Sequence, residues 1–328
     1  MMTDRPVLFI APFDDAGHAH SMQRRRALER LGARLTTFDL LAKPSLLERF
    51  RSGDQAKRLE RALVESDPEL VLVCGTNQLG EEQVDRLRGL SRARWITWMT
   101  DDMRTVATAA LQARAYDHIY AVGTDVAAEV SERLGRTVDV LSLAADPSVY
   151  RPIKTRDQYR ANVVFAGTAT PHRERLLAEL VEFGLALWGP GWRRTALRDY
   201  CRGEAPSTEE YVRAYAGASV AINIHHVSTE DGAPEAGCNE RLFELASMGV
   251  AQVVDDRGDV ARSFAIGREL AVFRDAGELR QTVRELLEDP HQAERLGQGA
   301  RARLLQDHTY MHRLRHLILD QPRPMAPR

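Results

Sequence analysis

The sequence predicts an α/β protein built from two doubly wound parallel sheets, one in each half of the chain. Three observations carry this prediction. At 328 residues, the chain is about twice as long as a typical domain. Predicted strands and helices alternate along it, and the strands are continuous apolar runs, which is typical of parallel strands covered by helices on both faces. The alternation pauses at residues 144–152 and then restarts.

The first half carries six predicted strands and four predicted helices. Residues 7–11 and 70–74 are uninterrupted apolar runs, and a helical pattern that stops at Gly32 indicates a helix ending at that glycine. The predicted strands are 7–11, 34–40, 70–74, 94–98, 118–122 and 138–143, and the predicted helices are 21–31, 52–65, 81–90 and 125–134.

The second half repeats the alternation after the proline-containing stretch 144–152, which we interpret as a linker. We therefore expect two domains, residues 1–150 and residues 151–328. The predicted strands are 162–166, 185–188, 219–224 and 251–254, and the predicted helices are 172–183, 208–216, 239–247, 278–287 and 293–306.

Composition excludes several classes of protein. The formal net charge of −2 gives no field that would draw the chain to nucleic acid, so we expect no nucleic-acid partner. Only three of the 45 basic residues are lysines, which is typical of a high-GC bacterial genome. The cysteines, Cys74, Cys201 and Cys238, are odd in number and far apart, which favours a reducing cytoplasm over a disulfide framework. No apolar stretch is long enough for a membrane span, and the first apolar run is too short for a signal peptide, so we expect no integral membrane association.

The segment 237–256 is the strongest local signal in the sequence. A loop leads into a helix, and Gly249 separates this helix from a buried strand. Asn239 is a suitable N-cap, and Arg241 and Glu244 share one helix face because they are three residues apart. Spacing alone leaves two interpretations: a ligand-binding pair, or an ion pair on the helix surface.

Several blocks give the chain a family resemblance. It resembles the CgeB-type (spore-maturation-like) glycosyltransferases, whose blocks occur in the same order between about residues 95 and 315. The resemblance implies the GT-B fold, in which two Rossmann-like domains face each other across a cleft. The matching blocks are Trp98–Asp102, Leu141–Pro152, Val164–Thr168 with Arg173, Leu187–Trp192, Ile222–Ile224, Asn239–Glu244 with Gly249, and His308–Tyr310 with Arg313.

The resemblance also implies an activity: transfer of a sugar from a nucleoside-diphosphate sugar to a hydroxyl or amine of a small-molecule or glycan acceptor. By this resemblance Glu244 accepts hydrogen bonds from the ribose, and Arg241 and Arg173 meet the phosphates. By the same resemblance, the Gly167 loop lets the backbone approach the diphosphate. Gly189 and Gly191 leave room for the base, with Trp188 or Trp192 packing nearby. The residues that we expect at the donor nucleotide are Gly167, Thr168, Arg173, Gly189, Gly191, Asn223, His225, Asn239, Arg241, Phe243 and Glu244.

The N-terminal domain is then expected to take the acceptor. His18 follows the first strand, and Asp101 and Asp102 follow the fourth, at the edge where parallel sheets bind ligands. Any of the three could accept the acceptor's proton. The alternatives are a loop histidine without a role, and aspartates that cap or turn the chain. The resemblance further implies that the last helix, around residues 308–319, packs back across the domain seam.

One position departs from the family pattern. Many retaining enzymes of this fold have a glutamate eight residues before the ribose-binding one, where this chain has Ala236. Glu235 is one residue away, so retention and inversion of the anomeric centre both stay open.

We expect neither a metal nor another cofactor. His225 and His226 with Glu230, Asp231 and Glu235 form a loose set of potential ligands, but their spacing matches no regular metal site.

Two alternatives to a transferase remain. One is a nucleotide-sugar-binding protein without catalysis, and the other is a nucleotide-sugar epimerase on the same fold. A dinucleotide oxidoreductase is disfavoured, because no GxGxxG follows the first strand of either half.

Overall fold

The computed structural model describes residues 4–13, 19–42, 55–74, 79–100, 110–204, 206–225 and 237–319. These residues form two compact units. The first contains the described residues up to Leu143 together with the helix that begins at Tyr310, and the second contains those from Ala144 to Thr309. The second unit thus begins within the stretch interpreted as a linker. No helix in these described ranges is long and apolar enough to cross a membrane.

The first unit is built on a six-stranded parallel sheet in the order β2-β1-β3-β4-β5-β6. Every residue of β1 and β3 is buried, which explains their uninterrupted apolar sequences. The strands are β1 (Pro6–Ala11), β2 (Arg34–Asp39), β3 (Leu70–Cys74), β4 (Arg94–Met99), β5 (His118–Ala121) and β6 (Asp139–Val140). The helices are α1 (Ala19–Arg30), α2 (Gln55–Ser66), α3 (Glu81–Arg88), α4 (Thr124–Leu134) and the C-terminal α11 (Tyr310–Leu319).

The C-terminal helix α11 packs against α1 within the first unit. Its buried Arg313 donates hydrogen bonds to the carbonyl oxygens of Ser142 and Leu143, at 2.8 and 3.1 Å. The ring of Tyr310 lies edge-on to Trp98, with centroids 6.2 Å apart. These contacts join the last described helix to the unit that contains β1 to β6.

The second unit contains another six-stranded parallel sheet, in the order β12-β11-β10-β7-β8-β9. Its chain starts in the middle at β7, moves outward through β8 and β9, and returns to β10 on the other side of β7. The strands are β7 (Ala161–Ala166), β8 (Leu185–Trp188), β9 (Cys201–Gly203), β10 (Ala218–Asn223), β11 (Gln252–Asp255) and β12 (Ala271–Phe273). The helices are α5 (Pro171–Ala178), α6 (Thr208–Ala216), α7 (Glu240–Met248), α8 (Val260–Ser263), α9 (Ala276–Glu288) and α10 (Pro290–Asp307).

Helix α7 has more buried residues than any other described helix of this unit. Seven consecutive residues, Leu242 to Met248, are buried, and the helix ends at Gly249 with φ of +70°. Helix α10 packs against it where Gly297 meets the backbone of Gly249, so closely that a Cβ at Gly297 would overlap the Gly249 carbonyl. Burial on all sides holds α7 rigidly, and α7 carries Arg241 and Glu244.

The predicted fold class is confirmed, with local differences. The edge strands β9 and β12 were not predicted, because three residues are too few for a recognisable apolar pattern. The predicted helix 172–183 divides into α5 and a 3-10 turn, Val181–Phe183, that ends at Gly184 with φ of +79°. The short helix α8 was also not predicted.

Candidate functional site

In the second sheet, the direction in which the chain adds strands changes between β7 and β10, which are paired neighbours. Ligands of doubly wound sheets bind beyond the carboxyl ends of the strands at such a point. Gly167 and Thr168 directly follow β7, and Ile224 and His225 directly follow β10. The sequence-predicted donor residues of both segments therefore come together at one edge of one sheet.

Two glycine-containing turns pack backbone against backbone at this edge. The Gly167 amide donates to the Trp188 carbonyl at 2.8 Å, and the Gly189 amide donates to the Gly203 carbonyl at 2.7 Å. Gly189 has φ of +118°, and a Cβ there would overlap the Gly167 carbonyl oxygen. Gly191 has φ of +92° and lies against Ala169. The turns after β7 and β8 are thus fixed together by conformations that glycine alone adopts without strain.

Gly167 also makes room for a charged side chain. A Cβ at Gly167 would lie 3.0 Å from Nη2 of Arg241 and 3.0 Å from the ring of Phe165. The Gly167 carbonyl accepts a hydrogen bond from Nε1 of Trp192 at 2.8 Å. Trp192 is fully buried, and Trp188 stacks on Tyr159 with centroids 5.7 Å apart, so both tryptophans pack within this unit.

Arg173 is a buried cation, with 5% of its surface exposed. Its Nη1 donates to the Thr168 carbonyl at 3.0 Å and its Nη2 donates to the Ile224 carbonyl at 2.8 Å. The side chain thereby joins the segments that follow β7 and β10. Thr170 caps α5 by accepting the Arg173 amide at 3.2 Å. Burial, and secondly the charge of Arg241, lower the pKa of Arg173.

Arg241 is the second cation of the site and is half-buried at the start of α7. Its Nη1 donates to Oδ1 of Asn223 at 3.4 Å. Neither Arg173 nor Arg241 forms an ion pair with a carboxylate of the described residues. Both guanidinium carbons lie over the ring of Phe165, at 5.3 Å for Arg173 and 5.2 Å for Arg241. Both cations thus have the same aromatic ring as a cation–π partner.

A reciprocal pair of amides positions the start of α7. Asn239 donates to Oδ1 of Asn223 at 2.9 Å, and Asn223 donates to Oδ1 of Asn239 at 3.1 Å. Asn239 also caps α7 by accepting the Leu242 amide at 3.0 Å. Gln252 accepts from Asn223 and donates to the Leu242 carbonyl. This network ties the end of β10 to α7, which fixes the position of Arg241.

His225 uses both ring nitrogens within the protein. Its Nε2 accepts the Asn239 amide at 3.1 Å, so Nδ1 carries the proton and donates to Asp255 at 2.7 Å. Arg257 contacts the same carboxylate at 3.0 Å. Burial is the main cause that lowers the pKa of His225. Burial alone would raise the pKa of Asp255, but His225 and Arg257 outweigh it and lower that pKa. The neutral imidazole therefore holds the N-terminus of α7.

Glu244 lies on α7 one turn after Arg241 and is 4% exposed. Its Oε2 accepts a hydrogen bond of 2.7 Å from the hydroxyl of Tyr211, on α6. Phe243, on another face of α7, packs against Phe264 and His308 with centroid distances of 5.8 and 5.6 Å. Thr168 contributes its backbone carbonyl, and its side chain is exposed.

Three predicted residues, His18, Asp101 and Asp102, lie outside the described residues. Four of the loose metal set, His226, Glu230, Asp231 and Glu235, lie outside them as well. Across the ranges that are described, no group of three histidine, cysteine, aspartate or glutamate side chains is placed to hold a metal ion.

Sequence analysis missed four participants: Phe165, Tyr211, Gln252 and Asp255. Phe165 lies within the matching block Val164–Thr168, but no role was predicted for it. Tyr211 and Tyr215 are four apart on a predicted helix, so their shared face was a usable signal. The partners of Gln252 and Asp255 depend on tertiary contacts between distant segments, which no local pattern indicates.

Known proteins resemble this chain in part of its sequence and in its fold. Residues 172–318 match the sequence model of a family described as glycosyl transferase-like. This match covers the segment that carries Arg173, Arg241 and Glu244. No curated protein sequence matches the chain. The narrower CgeB-type assignment stays a prediction.

Solved structures show the fold. HepE from Anabaena, in complex with UDP and glucose, superposes with a TM-score of 0.68 at 13% identity, over 97% of this chain and 100% of that one. A glycosyltransferase from Rickettsia africae gives a TM-score of 0.68 at 11% identity, over 98% and 100%. Sucrose-phosphate synthase from Thermosynechococcus elongatus gives 0.65 at 14% identity, over 96% and 98%. The two six-stranded sheets with their helices are thus those of the GT-B glycosyltransferases.

Proposed function

We propose that this protein is a glycosyltransferase that moves a sugar from a nucleoside-diphosphate sugar to a hydroxyl or amine of an acceptor. One observation carries the proposal: the guanidinium carbons of Arg173 and Arg241 lie 5.3 and 5.2 Å from the centroid of the same Phe165 ring, and neither side chain forms an ion pair with a carboxylate of the described residues. Placing two like charges together in a poorly hydrated site is unfavourable unless an anion joins them. A diphosphate at the Gly167 turn supplies that anion.

Glu244 supports the nucleotide part of the proposal. The carboxylate lies one helical turn beyond Arg241, which suits a ribose next to the diphosphate. A carboxylate has acceptor oxygens for both hydroxyls of a cis-diol. Gly189 and Gly191 then border the space for the base.

The donor base that we propose is uracil. HepE, whose fold this chain shares, was solved with UDP and with UDP-glucose. The positive charge that the leaving diphosphate needs comes from the two arginines, so we propose that donor binding requires no metal ion or other cofactor.

In the proposed reaction, the bond from the sugar C1 to the diphosphate oxygen breaks and a bond from C1 to the acceptor atom forms. The acceptor's proton passes to a side-chain base in an inverting reaction or to the leaving phosphate in a retaining one. His18, Asp101 and Asp102 stay our candidates for the base, and we place the acceptor with the N-terminal unit.

Titration calorimetry with UDP, UMP and uridine in the presence of EDTA tests the donor site. We expect affinity to rise from uridine to UDP, because each phosphate adds charge that the arginines meet. Release of UDP from UDP-glucose, with and without a panel of acceptors, tests turnover. Failure of a folded protein to bind any nucleoside diphosphate would remove the proposed function, and UDP binding without acceptor-dependent release would favour a binding protein.

A further inference from the structure

Tyr211, on α6, contacts the Glu244 carboxylate of α7. Its hydroxyl donates to Oε2 of Glu244 at 2.7 Å. Its ring lies edge-on to Tyr150 and Tyr215, with centroids 6.1 and 4.9 Å away. Packed rings on two sides leave the phenol little freedom to rotate.

The phenol has the hydrogen-bonding capacity that this position requires. A tyrosine hydroxyl donates one hydrogen bond, and here that donor goes to the Glu244 carboxylate, which can only accept. Burial, and secondly the charge of Glu244, raise the pKa of Tyr211 well above its ordinary value. The hydroxyl therefore keeps its proton and remains a donor throughout the neutral range.

Without this phenol, Arg241 and Glu244 would be free to pair with each other. They are three residues apart on one helix face, a spacing at which oppositely charged side chains attract. In the structure no ion pair connects Arg241 to a carboxylate among the described residues, and its Nη1 points to Asn223. A direct pair would compete with the contacts that we propose for a bound nucleotide.

We infer that Tyr211 is a positioning residue, which orients the Glu244 carboxylate toward the ribose hydroxyls of the donor and thereby sets a preference for ribonucleotides over 2′-deoxyribonucleotides. This inference rests on the proposed function. A carboxylate that is already oriented loses little freedom when it binds the diol, and this advantage disappears for a nucleotide without the 2′-hydroxyl.

The test compares the dissociation constants of UDP and 2′-deoxy-UDP for the wild type, Tyr211→Phe, Glu244→Gln and the double variant. We expect the wild type to prefer UDP by about tenfold or more, as one hydrogen bond to a charged group allows. Tyr211→Phe should reduce this preference to about threefold or less. In the Glu244→Gln background, the same change should have no further effect, because Tyr211 acts through Glu244.

Tyr215→Phe is the matched control. It removes a buried hydroxyl from the same helix, but this hydroxyl pairs with the backbone of Ala166 and accepts a hydrogen bond from its amide at 2.8 Å. Any change in affinity should be equal for UDP and 2′-deoxy-UDP. Site-specific p-aminophenylalanine at position 211 places an N–H donor where the phenol was and should restore the preference, which a role in packing alone does not predict.

Each outcome has a defined meaning. A Tyr211→Phe variant that keeps the wild-type preference for UDP overturns the inference. So does a Tyr211→Phe change that lowers this preference equally in the wild type and in the Glu244→Gln background. A wild type that binds UDP and 2′-deoxy-UDP equally overturns it too, while the proposed function stands. A wild type that binds neither removes both. If Tyr211→Phe does not melt cooperatively, Tyr211→Met, which also lacks the donor, takes its place.

Discussion

Arg173 and Arg241 lie over one aromatic ring, with guanidinium carbons 5.3 and 5.2 Å from the centroid of Phe165. The electron-rich ring attracts both cations and offsets part of their mutual repulsion. Burial, and secondly the charge of Arg241, lower the pKa of Arg173. We propose that the diphosphate of the donor binds these two cations, and the first two predictions follow from that.

Arg173→Met should weaken binding of UDP by roughly tenfold or more and leave uridine binding unchanged, because a charge-assisted contact to phosphate contributes about 1.5–3 kcal/mol. Calorimetry with both ligands measures the difference. Arg175→Met is the control, since Arg175 lies on the same helix α5 but is exposed. Equal losses of UDP and uridine affinity in Arg173→Met would show that Arg173 supports the fold and not the diphosphate.

Withdrawing electron density from the Phe165 ring by fluorination should weaken UDP binding with each added fluorine. Site-specific mono-, di- and trifluorinated phenylalanine keep the size of this fully buried ring but reduce its attraction for cations. With a cation–π contribution of about 1 kcal/mol, we expect the full series to lower UDP affinity about fivefold. Uridine affinity should stay constant across the series. A UDP affinity that does not follow fluorine content would remove the ring from the anion site.

Much of the fold followed from the sequence because its signals are local. The strands β1, β3 and β7 are apolar runs, and Gly32 and Gly249 mark helix ends through conformations that favour glycine. The edge strand β9 has no such signal: its three residues include an arginine, because an edge strand need not be apolar throughout.

The candidate site was predictable only in part. Arg241 and Glu244 are close in sequence, so helical periodicity places them together. The contacts of Tyr211 with Glu244 and of Asn223 with Asn239 join residues 33 and 16 positions apart. Such pairs depend on how helices and strands pack, and a single sequence does not encode that packing in a local pattern.

Lowering the pH below about 6.5 should destabilise the second unit through His225. The pKa of this buried histidine is lowered, so the unfolded chain takes up a proton first as the pH falls, and this costs up to about 1.4 kcal/mol per pH unit. The loss begins at the ordinary histidine pKa and ends at the lowered one. Protonation would also place a donor against the Asn239 amide, which now donates to Nε2.

Thermal melts at pH 7.5 and 5.5 measure this effect. His225→Gln keeps a donor and an acceptor but does not titrate, so its midpoint should change less between the two pH values than that of the wild type. His291→Gln, an exposed histidine on α10, should behave as the wild type does. His172, whose pKa burial also lowers, is present in both variants and does not affect the comparison. Equal pH responses of His225→Gln and the wild type would contradict the prediction.

Gly189→Ala should impair both stability and donor binding, because two constraints meet at this glycine. Its φ of +118° is strained for alanine, and the added Cβ would overlap the Gly167 carbonyl. Strain and overlap together should cost about 3 kcal/mol, and the displaced Gly167 turn should weaken UDP binding. Gly267→Ala is the matched control in the same unit, since Gly267 has φ of +78° but nothing within 4 Å of the added Cβ. It should cost only about 1 kcal/mol and leave UDP affinity unchanged, whereas similar melting points and affinities for the two variants would show that the Gly167–Gly189 contact does not shape the site.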